Sequence, residues 1–238
     1  MSQGYSVAGH HADLLEGMRA CLTASESSEL NLIGALHVAE HDFSDWVRHV
    51  PEVHRHQMTL AQRELALATH FAVTGLYRQA FANLRVFLEL EMATLYFSMY
   101  EMSRREWMQD KFDFSWSRGM KDPSGLLGDQ FVSAFCPTLA IPAAEYRTRA
   151  WQVYRTCSQF IHGKARQSEL IPKQLEIDTH LLQRFSQEAL YAADVCMFVM
   201  LCRFWGDGSG LPTALLESIE ARFGHIVEIR KIIGLTVD

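Results

Sequence analysis

Apolar residues recur at threes, fours and sevens through most of this chain, which is the period of helices with one buried face. From Leu76 to Met108 no proline or glycine intervenes, and Phe81, Leu84, Leu88, Leu95, Met99 and Met102 keep the spacing, so the pattern predicts a long central helix. Asp178 stands where an N-cap belongs for a second long helix, ending at Trp205. Between them Pro142 introduces a helix over Ala143 to Ile161, with Tyr146, Ala150, Val153, Tyr154, Cys157 and Ile161 on one side and Gly163 as its stop.

Shorter patterns fill the remainder. Helices are expected over Ala12 to Leu22 and over Glu29 to Val47, the second introduced by Ser25-Glu26-Ser27-Ser28. Pro51 breaks the chain, Thr59 opens a third pattern, and Gly75 interrupts it. Phe112, Phe114 and Trp116 fall in a connection whose rings are expected to fold back on the helices, a short helix is expected over Pro123 to Phe135, and another over Thr213 to Phe223. The sum is an all-α bundle of about five to seven helices. It divides into an acidic, His-rich segment (1–58), a central bundle (59–205) and an extension packed on the bundle (206–238).

Composition supports that reading and narrows the function. Leu, Ala, Glu, Gln, Arg and Met recur while β-branched runs are scarce, which favours helix. A net charge of −6 argues against a protein that coats nucleic acid by bulk electrostatics. The charge is uneven, however. Residues 145–173 carry six basic side chains (Arg147, Arg149, Arg155, Lys164, Arg166 and Lys173) against Glu145 and Glu169, which suits either an anionic partner or a solvated helix face that happens to be basic. Five cysteines without CxxC spacing fit a reducing cytoplasm, and no signal peptide is visible. The apolar stretch Ala189 to Trp205 is interrupted by Asp194 and Arg203 and reads as a buried helix, with no membrane association expected.

The most informative segment is Tyr154-Arg155-Thr156-Cys157-Ser158-Gln159-Phe160-Ile161-His162-Gly163-Lys164. Seven positions on a helix turn through about 700°, so Arg155 and His162 emerge within roughly 20° of each other, about 10.5 Å apart along the axis. A guanidinium holds phosphate and an imidazole moves a proton; together they suffice to cut RNA without a metal. The alternative for the same residues is structural: Arg155 pairs with Glu89 or Glu91, and His162 caps the helix end.

Arg155, six intervening residues and His162, set in an all-helical chain, resemble the Arg-x4-6-His motif of the HEPN superfamily. The likeness covers roughly Leu76 to Trp205, and a preceding helix bearing Arg85 and Glu89 belongs to it. The resemblance implies a homodimeric, metal-independent ribonuclease needing no cofactor, with RNA as substrate and a defence or toxin-antitoxin setting with a partner protein or antitoxin. It implies catalysis by Arg155 and His162, substrate contacts from Lys164, Ser158 and Tyr154, and support from Arg85 and Glu89. One position departs: where many members carry Asn, Asp or His after the arginine, this chain has Thr156. A non-catalytic helical adaptor that binds a protein or RNA is the second expectation, with Phe112 to Trp116 as its exposed contact surface.

A third possibility is a metal enzyme. His37 and His41 lie at i, i+4 on one helical face, with Asp45, His49, His54 or His56 as further ligands. The order differs from HExxH, so any metal there is expected to be structural or regulatory. Cys157 and His162 diverge by about 140°, which disfavours a Cys-His nucleophile.

Overall fold

The computed structural model of the chain describes residues 6–121, 123–162 and 169–235. Among these the fold is all-α, without a strand. Five helices longer than twenty residues make the bundle: α1 (Val7–His49), α2 (Glu52–Val73), α3 (Tyr77–Phe97), α7 (Ala140–Ile161) and α8 (Thr179–Trp205). Short helices α4 (Glu101–Trp107), α5 (Trp116–Gly119), α6 (Asp129–Phe135), α9 (Leu216–Phe223) and α10 (Val227–Ile232) complete it.

The expected break near Ser25 is a kink within one helix. The hydroxyls of Ser27 and Ser28 donate to the carbonyls of Thr23 and Ala24 four residues back, and Ser25 donates to Val73 at 2.9 Å, so these residues stay helical instead of capping. The backbone departs from helix only at Glu29 (φ −132°, ψ 31°). Helix α2 starts directly after Pro51, ahead of Thr59. It ends at Val73, and two residues on stands Gly75, whose φ of +81° suits glycine; a Cβ there would stand 3.1 Å from Cys21 Sγ and from the Glu176 carbonyl.

The central helix is shorter than its apolar pattern. It stops at Phe97, where Arg203 of α8 donates to the Ser98 carbonyl (2.8 Å) and hydroxyl (2.9 Å) and so satisfies a helix end. Helix α4 then restarts at Glu101. The start of α8 follows expectation: Asp178 accepts from the Leu181 N–H at 3.0 Å, and the Tyr77 hydroxyl bridges the Asp178 backbone, tying the N-termini of α3 and α8 together.

Helix α8 forms the axis, packed against α1, α2, α3 and α7. By length and composition it could cross a bilayer, but 72% of its most apolar window is buried inside the protein. Phe81 of α3 stacks on Phe160 of α7 at 3.9 Å and meets Phe185 of α8 edge-on. One hydrophobic cluster takes in Phe43 and Trp46 from the first segment and Ile219 and Phe223 from the last. All five cysteines are free and buried.

Candidate functional site

Helices α3 and α7 pack together, and their contact brings Arg85 and Glu89, one turn apart, against the C-terminal part of α7. Arg85 Nε donates to Glu89 Oε1 at 3.1 Å, and its Nη2 lies 3.0 Å from the same oxygen. Nη2 also donates to the Tyr154 hydroxyl at 2.8 Å. The remaining nitrogen, Nη1, stands 3.3 Å from His162 Nε2. Arginine donates but never accepts, so this contact is a hydrogen bond only if the imidazole is neutral at Nε2 and carries its proton on Nδ1. Arg85 thus reaches an acid, a phenol and an imidazole at once.

The phenol is held from behind. Trp116 stacks on Tyr154 at 4.2 Å and 6°, and the Arg85 guanidinium lies 4.7 Å from the Tyr154 ring centre. Burial pushes the Tyr154 phenol up; the Arg85 charge lowers it and Glu89 raises it again, so the ring stays protonated. His162 itself is exposed, at the C-cap of α7 just past Ile161. The cluster therefore has a packed side, against α3 and Trp116, and an open side, at the imidazole.

Arg155 is not the arginine beside His162. It is exposed, and among the described residues no hydrogen bond or ion pair joins it to His162, Glu89 or Glu91. Helical spacing put the two on one face but could not show that a guanidinium from α3 already occupies the space by the imidazole. The Ser158 hydroxyl donates to the Tyr154 carbonyl at 2.8 Å, which removes it as a free contact for substrate. Thr156, the position that departs from the motif, is half-buried and lies beside Glu188 of α8, so it faces the bundle. Lys164 and the stop glycine Gly163 lie outside the described residues. Cys157 is fully buried and burial pushes its thiol up, which leaves no nucleophile there.

The aromatic connection is not an exposed surface. Phe112 and Phe114 meet buried Phe97 at 5.7 and 6.3 Å, and Trp116 is buried. Nor are the N-terminal histidines assembled: His37 and His41 are exposed, His41 faces Asp45 at 3.8 Å, and His54 is buried beside Phe204. Among the described residues no group of three His, Cys, Asp or Glu stands close enough to hold a metal. On a helix the i, i+4 pair supplies two ligands, and among the described residues none is brought over them as a third.

Trp116 is the contributor that the sequence pattern missed. Its role depends on a stacking partner 38 positions away, and no local spacing encodes that. No family model matches the chain, and no match was found among curated proteins or solved structures.

Proposed function

We propose that this protein cleaves RNA without a metal, in the manner of the HEPN-like nucleases its motif resembles, with His162 as proton carrier. The observation that carries the reading is the exposed imidazole in contact with the Arg85 guanidinium, with the exposed Arg155 on the preceding helix. An RNA phosphate reaching this edge competes for Arg85 Nη1. When the guanidinium turns to the phosphate, the lone pair on His162 Nε2 is freed and takes the proton of the 2′-hydroxyl. The 2′-oxygen then attacks phosphorus, the bond to the 5′-oxygen breaks, and that oxygen takes a proton from water. Charge growing on the phosphoryl oxygens is met by Arg85 and Arg155. Glu89 and Tyr154 act through Arg85, by fixing its orientation. A homodimer, as the resemblance implies, would set two such clusters along a shared cleft.

The test is incubation of the purified protein with mixed RNA in excess EDTA. The reading expects fragments ending in 2′,3′-cyclic phosphate and 5′-hydroxyl, and a loss of at least ~100-fold in rate for His162→Ala with helix content preserved. Intact RNA at high protein concentration, or equal cleavage by His162→Ala, would overturn it. The adaptor reading draws on a different observation: Glu89 already neutralises Arg85. It expects RNA or a protein to be bound and left whole.

A further inference from the structure

Beside the Arg85 cluster runs a groove of about 310 Å³, near the lower end of the range for small-molecule sites. Glu89 belongs to both: it holds Arg85 on one side and lines the groove on the other. Leu90 and Ala93 of α3 line it further along, and Ala93, small and 2% exposed, leaves room where a larger side chain would fill it. Trp107 and Phe114 supply aromatic lining. Both rings are anchored on buried Phe97, Trp107 stacked at 4.9 Å and Phe114 edge-on at 6.3 Å.

The position of Phe114 depends on a glycine. A Cβ at Gly119 would stand 2.3 Å from the Phe114 ring, so any other residue at 119 would push that ring out of place. Next to it sits Asp113, exposed and, among the described residues, in no hydrogen bond or ion pair. A carboxylate at the mouth of an aromatic-lined groove is an acceptor that only water now serves, so a ligand can bring donors to it.

We infer that this groove is a base-binding subsite selective for guanine in single-stranded RNA, an inference that rests on the ribonuclease reading of the neighbouring cluster. An ionised carboxylate only accepts, and it accepts two parallel N–H donors best. Guanine offers that pair, N1–H beside the exocyclic N2 amino group. Adenine and cytosine each set a single amino group beside a ring nitrogen whose lone pair faces the carboxylate, and uracil sets one N–H between two carbonyl oxygens. Asp113 therefore rewards guanine and repels part of every other base. Aromatic side chains take an unstacked base by stacking, as proteins that read single-stranded RNA do.

Glu89 joins the two places: it sits one turn from Arg85 on the same face of α3, pairs with Arg85, and lines the groove. A phosphate at Arg85 and a base in the groove are therefore neighbours on one strand.

The experiment measures equilibrium binding of the four nucleoside 3′-monophosphates to the full-length protein in EDTA, by calorimetry and Trp fluorescence, with Asp113→Asn in parallel. Guanosine 3′-monophosphate is expected to bind at least about tenfold more tightly than the other three. Asp113→Asn, at an exposed position that leaves packing untouched, brings it to their level. In RNA digests the same variant redistributes cuts away from guanine. Equal binding of all four nucleotides, or no binding of any, overturns the inference. So does an arginine- or lysine-bearing peptide that binds in an Asp113-dependent way while nucleotides do not. Guanine selectivity with RNA left whole would keep the subsite and remove the nuclease; cleavage with no base preference would do the reverse.

Discussion

Two arginines each organise a cluster in this molecule, and they differ in what completes them. Arg222 of α9 is 12% exposed and faces two carboxylates: Nε and Nη2 go to Asp42 of α1 at 2.8 Å, and Nη1 goes to Asp194 of α8 at 2.7 Å. Arg85 is 19% exposed but faces one carboxylate, its other partners being a phenol and an imidazole. Arg222 joins three helices and spends its charge inside the protein. Arg85 keeps a nitrogen on a partner that an anion can displace. Two carboxylates from two other helices make Arg222 a clamp, whereas a single carboxylate leaves Arg85 with one nitrogen at the open edge beside the imidazole.

Alanine substitution separates the two most sharply in stability. Arg222→Ala strands Asp42 and Asp194 with little water, and burial already pushes the Asp194 carboxyl up against the pull of Arg222. The expected cost is about 3–5 kcal/mol, read from urea unfolding midpoints. A third acid marks the extreme case. Glu91 of α3 is fully buried, neither of its oxygens has a hydrogen-bond partner among the described residues, and desolvation pushes it up to about 8 from 4.5. Because the folded state holds this proton and the unfolded state releases it, stability is complete below pH 4.5 and falls as pH rises to about 8. The slope is about 1.4 kcal/mol per pH unit. Glu91→Gln is expected to flatten that slope in unfolding curves across the same range; an unchanged slope would mean that Glu91 finds a partner in solution. Arg85→Ala should matter least for folding, about 1 kcal/mol, because Glu89 and His162 regain water when it goes. A loss as large as that of Arg222→Ala would make Arg85 a second clamp and erase the contrast.

Much of the scaffold was legible because its signals are local. Asp178 caps α8 as its position promised, Pro51 and Gly75 punctuate α2, and the period of α8 identifies a helix buried for most of its length. The stop of α3 at Phe97 was not legible, since the group that satisfies the helix end is Arg203, 105 residues away from Ser98. The candidate site failed in the same manner. Spacing within α7 put Arg155 and His162 on one face, but which guanidinium meets the imidazole depends on the helix packed alongside, and that is α3 with Arg85. The i, i+4 pairing of Arg85 with Glu89 is local and was readable; Trp116 behind Tyr154 is tertiary and was not.

The central claim is that His162 works with Arg85 more closely than with Arg155, and a kinetic double-mutant cycle on RNA cleavage in EDTA tests it most directly. If the account holds, Arg85→Ala combined with His162→Ala is no slower than His162→Ala alone, because the two act as one unit, while Arg155→Ala lowers the residual rate independently. Additive losses for Arg85 and His162, non-additive losses for Arg155 and His162, or RNA left whole by the unaltered protein would contradict it.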